Sequence, residues 1–330
     1  MNSIFQLASQ TSSASGQPVP LVSIIIPCFN RAPLVGDAIQ SALREGPDVE
    51  VIVVDDGSTD GSASVAAGYD GVRVVRTENR GPSAARNTGL EQSRGDFIRF
   101  LDSDDQLAPG STAILLKVVD SIAPTSLAFG DATSAGARGD SEAAYGFSHE
   151  REGFLSKETF LSGVMNACLP LFPSSALRAA GGFNPALRLG EDFELACRLL
   201  ANGYEFHHVR STTYLVGHDA DDRLSRGYGS AGYISHHTLF SECFRMLEQQ
   251  QSLSARERAA LARQVWSVAR GASRDRFRPE AERLFDLANA LGGKAARVGT
   301  LPLRLGYRLL APFTVERLAE TAKILTSQRR

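Results

Sequence analysis

A chain of 330 residues, 43% of them hydrophobic, carries enough apolar side chains for a sizeable core without disulfide or metal staples. Its 35 basic and 37 acidic residues leave a net charge of −2, which excludes a global field that would recruit nucleic acid. Cys28, Cys168, Cys197 and Cys243 stand far apart with no C-x-x-C pair; the spacing argues against a zinc ribbon or redox centre and for buried thiols in a reducing compartment.

Residues 1–20 are rich in Ser and Gln and lack the basic and apolar regions of a signal peptide, so they read as a mobile leader. No apolar stretch approaches the roughly 18 to 20 residues of a membrane span, and the expected setting is cytoplasmic or peripheral at the inner face of a membrane. Val22 to Ile26 is a β-branched run ended by Pro27, and a helical pattern from Leu34 to Leu43 follows Pro33. The alternation then repeats. Val49 to Val54 leads into Asp55-Asp56-Gly57-Ser58-Thr59-Asp60 and a small-residue helix. Val72 to Val75 leads through Gly81-Pro82-Ser83 to a helix from Ala84 to about Ser93, and the apolar run Phe97 to Leu101 ends in Asp102-Ser103-Asp104-Asp105.

Strands buried on both faces and joined by helices predict an α/β fold with a mostly parallel sheet and right-handed crossovers. Ligands in such sheets bind beyond the carboxyl ends of the strands. Three polar loops, Cys28 to Arg31, Asp55 to Asp60 and Asp102 to Asp105, fall at that edge. Clustered carboxylates repel one another until a divalent cation or a basic partner neutralises them, and hard oxygen donors favour Mg²⁺ or Mn²⁺. Taken alone each loop reads more simply as turn chemistry, and it is their shared position that makes them one constellation.

Beyond Leu127 the alternation loosens, and Ala132 to Ser148 reads as a Gly/Ala/Ser-rich loop. Gly190-Glu191-Asp192-Phe193-Glu194 opens a helix through Leu200 that stops at Asn202-Gly203. Short strands at Glu205 to Val209 and Thr212 to Val216 follow. The remainder reads as helices: Ile234 to Gln250, Ala255 to Val268, Pro279 to Leu291, and Leu301 to Leu325. The domain plan is a leader to residue 20, an α/β domain over 21–232 and a helical region over 233–330.

The segments VSIIIPCFNRAPLVGDAIQSAL, VIVVDDGSTDGS, NRGPSAARNTGLEQSRGDFIRFLDSDDQLAPG and GGFNPALRLGEDFELACRLLANG resemble, in order, the motifs of family 2 glycosyltransferases. The resemblance is dense over residues 21 to about 130 and thinner over 175–225. It implies the Rossmann-like GT-A fold and inverting transfer of a sugar from a nucleotide sugar, with UDP as the nucleotide; the chain lacks the Gln-x-x-Arg-Trp signature of processive relatives, so transfer of a single sugar is expected. The acceptor it implies is a glycan or lipid-linked molecule in surface polysaccharide or glycoconjugate synthesis. On the donor side it places Pro27, Phe29 and Asn30 around the base, Asp56 on the uracil N3–H, and Asp102 with Ser103 near the ribose.

The same resemblance assigns Asp104 and Asp102 to Mn²⁺ or Mg²⁺, with His218 as a further metal or diphosphate contact. Val216 stands where the family often has a basic residue, and Asn184 replaces a frequent Asp after Gly-Gly-Phe. Arg86 would pair with phosphate or stack on a base; it would equally anchor its helix to a neighbouring loop. Asp105 would orient Asp104 or cap the helix beginning near Pro109. Asp192 is the implied general base, with Glu191 next in line; the plainer role for both is to favour the positive end of their helix.

A catalytically silent nucleotide-sugar-binding or scaffold protein of the same fold is the alternative. A nucleotidyltransferase or dinucleotide oxidoreductase would need a Gly-rich phosphate loop after the first strand, where Cys28-Phe29-Asn30-Arg31 stands. Residues 291–330 hold eight basic residues against Glu316 and Glu320, a net of +6, interleaved with leucines. That composition fits an anionic membrane surface and equally a solvated face packed on the protein.

Overall fold

The computed structural model describes residues 21–134, 143–145, 152–163, 165–187, 189–217, 229–251, 253–298 and 301–327. The chain divides into two compact units, one formed by residues 1–155, 164–187 and 191–221, the other by 156–163, 188–190 and 222–330.

The first unit opens with alternating strands and helices: β1 (Val22–Cys28), α1 (Val35–Leu43), β2 (Val49–Asp55), α2 (Ser62–Ala67), β3 (Val72–Arg76), α3 (Pro82–Gln92) and β4 (Phe97–Phe100). Then come β5 (Gln106–Leu107), α4 (Ser111–Val119), β6 (Ser126–Ser134), β7 (Ala143–Tyr145) and β8 (Gly153–Phe154). Helix α5 (Lys157–Ser162) belongs to the second unit, and the chain returns with β9 (Pro170–Pro173), α6 (Ser174–Ala179), α7 (Glu191–Ala201) and β10 (Glu205–Val216).

One ten-stranded sheet runs β3-β2-β1-β4-β9-β6-β10-β5, with β7 beside β6 and β8 beside β10. The four strands β3, β2, β1 and β4 are parallel, as is the β6–β10 pair, whereas β9 is antiparallel to both β4 and β6. Ile24, Ile25, Ile26 and Val51 to Val54 are buried, as strands covered on both faces require. Gly89 of α3 makes close packing on β1 possible, since a Cβ there would lie 2.3 Å from Ile25 Cγ2.

Pro27 does not end β1. Leu101 N–H bonds to Ile25 C=O and Asp56 N–H to Cys28 C=O, so alternate residues address β4 and β2. Position 27 faces the β4 side, where the ladder stops at the Ile25–Phe100 pair, and no backbone donor is needed there. The two strands expected at 205–209 and 212–216 are one strand with irregular pairing to β6 between His208 and Tyr214. The loop expected over 132–148 is strand at Ala132 to Ser134 and Ala143 to Tyr145, which pair with each other; residues 135–142 and 146–148 lie outside the described set.

The apolar run Phe97 to Leu101 contains Arg99, which is fully buried. Its guanidinium donates to Ser111 Oγ at 2.8 Å, Thr112 Oγ1 at 2.9 Å and Thr213 C=O at 3.2 Å, and lies 3.7 Å from Glu45 Oε2. Glu45 accepts from Gly110 N–H and Thr112 N–H at the start of α4. Burial lowers the Arg99 pKa to about 10 against the pull of Glu45. This cluster joins β4, β10, α4 and the end of α1.

In the second unit, α8 (Gly229–Gln251), α9 (Ala255–Arg274), α10 (Arg278–Gly292), a 3₁₀ turn (Gly293–Ala296), α11 (Leu301–Leu309) and α12 (Pro312–Ser327) follow one another. A capping box of Ser254 and Glu257 starts α9. Trp266 packs edge-on to Phe285 at 4.7 Å and to Tyr307 at 5.1 Å. The single helix expected from 301 to 325 is two, because Pro312 has no N–H to donate back and instead begins α12. The four cysteines are buried and none is in a disulfide.

Removing Glu45 leaves a fully buried guanidinium without its counter-charge and strips the amides at the start of α4 of their acceptor. Glu45→Ala is expected to lower unfolding free energy by about 3 to 5 kcal/mol. Urea denaturation measures it, and a loss below about 0.5 kcal/mol would remove the pair from any role in stability.

Candidate active site

Because β2, β1 and β4 are neighbours, their carboxyl-end loops stand side by side. The first two are laced together by hydrogen bonds: Asn30 N–H to Ser58 Oγ (3.0 Å), Thr59 N–H to Asn30 Oδ1 (2.9 Å), Arg31 N–H to Ser62 Oγ (2.8 Å) and Ala32 N–H to Asp60 Oδ2 (2.9 Å). Asn30 adopts φ +52°, a left-handed conformation that asparagine tolerates. Arg31 Nε reaches to 4.0 Å from Asp104 Oδ2, linking the first loop to the third. Pro27 is buried, whereas Phe29 is 44% exposed, an aromatic face left in solvent at the sheet edge.

The two adjacent aspartates of the second loop differ. Asp56 accepts from Thr77 Oγ1 (3.0 Å), Arg80 N–H (3.1 Å) and Gly81 N–H (2.8 Å), so its carboxylate is held in place by residues 77–81. Asp55 is fully buried and receives Arg76 Nε at 3.0 Å on Oδ2, while its Oδ1 has no hydrogen-bond partner.

Arg86 and Asn87, in the second turn of α3, take hold of segments distant in sequence. Asn87 exchanges two hydrogen bonds with the backbone of Phe183, donating to its C=O at 2.8 Å and accepting its N–H at 2.7 Å. The residue before it, Gly182 (φ +70°), must lack a Cβ, which would sit 2.4 Å from Asn87 Oδ1. Arg86 is 5% exposed and donates to Asp102 Oδ1 at 2.8 Å and Glu191 Oε1 at 3.2 Å, with its guanidinium 5.3 Å from the Phe183 ring centre. Burial alone would lower its pKa; Asp102, Asp192 and Glu191 more than reverse that and hold it above the ordinary arginine value. Arg86 therefore makes the anchoring contacts, and a phosphate would compete with two carboxylates for it.

Asp192, one residue into α7, shares this enclosure. Part of its surface meets solvent, but Oδ1 is shut in without a hydrogen-bond partner, and the Ala167 amide bonds its carboxyl. Burial pushes the group up to about 7, opposed by Arg86 and reinforced by Glu191 and Asp102. A carboxyl that holds or releases a proton near neutrality, next to a row of strand-end aspartates, is suited to moving a proton.

Comparison with known proteins decides what class of enzyme this is. The sequence model of glycosyl transferase family 2 matches residues 23–154. Succinoglycan biosynthesis protein ExoU of Rhizobium meliloti is 36% identical over 311 residues, 88% of this chain and 83% of ExoU. The chain belongs to glycosyl transferase family 2. Residues 1–349 of S. aureus TarS, solved with UDP-GlcNAc, superpose with a TM-score of 0.71 at 18% identity, over 91% of this chain and 92% of that one. The mannosyltransferase PcManGT of Pyrobaculum calidifontis, solved with GDP-Man and Mn²⁺, gives 0.50 at 20% identity, over 92% and 86%. At these identities the solved structures establish the GT-A fold.

In this family 2 glycosyltransferase the third loop divides its carboxylates. Asp102 and Asp104 keep side-chain exposures of 31% and 20%, and Ser103 is buried between them. Asp105 turns inward and accepts from Tyr214 O–H and Gly217 N–H, both at 2.8 Å; burial and then Asp102 push it up to about 7. It does not cap α4, whose N-cap is Gly110. Tyr214 also accepts the Asp102 N–H at 3.3 Å. Sequence reading passed over Tyr214; the usable signal was a tyrosine inside a buried strand, whose O–H needs a partner.

Two partly open carboxylates at a strand end suit a hydrated Mg²⁺ or Mn²⁺ that takes further ligands from waters and a diphosphate. Among the described residues no three His, Cys, Asp or Glu side chains converge on a metal position of their own, and His218 lies outside the described residues.

Asp192 and Asp105 fix a sign for pH dependence. Each holds its proton up to about pH 7 in the folded protein, but an unfolded carboxyl releases it near pH 4. The folded state binds more protons between those values, so stability is greatest below the window and declines as pH rises through it, by at most about 1.4 kcal/mol per pH unit for each group. In metal-free buffer Asp192→Asn is expected to flatten this slope in urea titrations at pH 5, 6 and 7.5. A variant with the parental slope would refute the protonation assigned to Asp192.

Proposed function

We propose that this enzyme moves a single sugar, with inversion, from a UDP-sugar to a hydroxyl of a glycan or lipid-linked acceptor in bacterial polysaccharide or glycoconjugate synthesis. The observation that carries the proposal is Asp192: a carboxyl with one enclosed oxygen lacking a partner, poised near neutrality beside Glu191, Arg86 and Asp102. The functions of ExoU in succinoglycan biosynthesis and of TarS as a UDP-GlcNAc binder support the pathway class and the nucleotide.

Asp192 accepts the proton of the acceptor hydroxyl as its oxygen bonds to the anomeric carbon from the face opposite the departing diphosphate. The C1–phosphate bond breaks, the diphosphate leaves with the electron pair, and Asp192 returns its proton to water. Arg86 bonds both Glu191 and Asp102, so the acceptor side and the donor side are tied together. Phe29 offers the base its exposed face, Pro27 and Asn30 shape the pocket wall, and Asp56 reads the uracil N3–H. Asp102 and Ser103 hold the ribose.

Asp104, with Asp102 and His218, would hold Mg²⁺ or Mn²⁺, which supplies charge neutralisation for the leaving diphosphate. The reaction takes place in the cytoplasm or peripherally at the inner face of a membrane, where a glycan or a lipid-linked acceptor is met.

Two measurements test this reading. EDTA is expected to abolish release of UDP from the donor, Mn²⁺ or Mg²⁺ to restore it, and calorimetry to give UDP binding well above GDP binding; full turnover after exhaustive chelation would sink the metal role. Asp192→Asn is expected to keep UDP affinity and lower kcat by roughly 10² to 10⁴-fold, the scale of general-base loss. In the parent enzyme kcat should fall below about pH 7 as Asp192 takes up its proton. Near-normal kcat in Asp192→Asn would move the base to Glu191.

A further inference from the structure

We infer that α11 and α12 form a docking surface for an anionic lipid bilayer. Four leucines of this region are exposed: Leu305 (46%), Leu309 (85%), Leu310 (48%) and Leu318 (57%). They are half of the large apolar side chains exposed among the described residues. Leu305 and Leu309 are one helical turn apart on α11 and therefore share a face. Exposed leucines on helices anchored by buried residues mark a surface that meets something apolar.

The rest of the region is fixed. Tyr307 is buried against Trp266 at 5.1 Å, and the Arg297 guanidinium donates to Tyr307 C=O at 3.0 Å. A Cβ on Gly306 would touch Val315 at 3.0 Å, so α11 lies close on α12. The leucines are thus presented on a scaffold whose inner face is already occupied.

Charge selects the occupant. Residues 291–330 carry eight Lys and Arg against two acids, while the whole chain is at −2. One of those two acids is withdrawn from the surface: Glu316 is 4% exposed, receives Arg270 Nε at 2.7 Å and is bonded by the Tyr307 hydroxyl. Positions 304 and 308, both arginine, immediately precede Leu305 and Leu309 in α11. Exposed leucines within a segment of net positive charge match the apolar boundary and anionic headgroups of a leaflet, where each basic residue near the surface strengthens binding. No helix among the described residues is long and apolar enough to cross a membrane, so the contact is interfacial. The inference is independent of the transfer chemistry, and vesicle binding and UDP binding can fail separately.

The test is flotation of the full-length protein with vesicles of phosphatidylcholine alone or with about one third phosphatidylglycerol. We expect partitioning roughly tenfold or more stronger to the anionic vesicles at low salt and a marked fall in 0.5 M NaCl. The double variant Leu305→Asp with Leu309→Asp, at exposed positions, should lose at least tenfold in binding with unchanged thermal unfolding and UDP affinity. Absent binding, equal binding to both vesicle types, or a double variant that binds like the parent would overturn the inference. So would leucine-dependent dimerisation without vesicle binding, since it would identify a second copy of the chain as the occupant.

Discussion

The buried Arg86 guanidinium is the constraint on which the rest of the site depends. A cation removed from water must be surrounded by acceptors or it destabilises the fold by several kcal/mol. Arg86 finds Asp102 at the end of β4 and Glu191 at the start of α7, residues 16 and 105 positions away. One side chain thereby sets the separation of a strand end and a helix start that no local rule connects. Asn87 repeats the arrangement one residue on by pairing with the Phe183 backbone, so two consecutive side chains of α3 position the segment that carries Asp192.

The consequence for chemistry is an unequal division of charge. Arg86 hydrogen-bonds two carboxylates, Asp102 and Glu191, and acts on Asp192 through its field. Burial and the nearby carboxylates then outweigh that attraction and lift Asp192 toward neutrality. Asp105 reaches a similar value by the same route, burial and then Asp102, against the hydrogen bonds from Gly217 and Tyr214 that pull it down. It lies under the third loop and serves to hold it, whereas Asp102 and Asp104 keep their oxygens partly open.

Arg99 shows the same physics used for architecture alone. It is fully buried, like the strand around it, and its partners come from α4, β10 and the end of α1. The residues that contact it contain no open carboxylate and no exposed aromatic. A buried arginine is thus a site component or a structural joint according to whether its acceptors remain accessible, which residue type cannot reveal.

Much was legible in the chain itself. Periodicity gave β1 to β4 and the helices between them, because strands of a parallel sheet read as short, largely apolar runs between helical patterns, and the loops Cys28 to Arg31, Asp55 to Asp60 and Asp102 to Asp105 were placed at one edge by that alternation alone. The motifs in order gave the family. Only the tertiary structure decided which alternative each polar residue follows: that Arg86 bonds carboxylates across 105 positions, that Asp56 is braced by residues 77–81 while Asp55 is sealed with a free oxygen, and that Asp105 turns inward. The physical reason is range. Helix and strand preferences depend on neighbours a few residues away, but the desolvation and pairing of a charge depend on whatever the fold brings beside it.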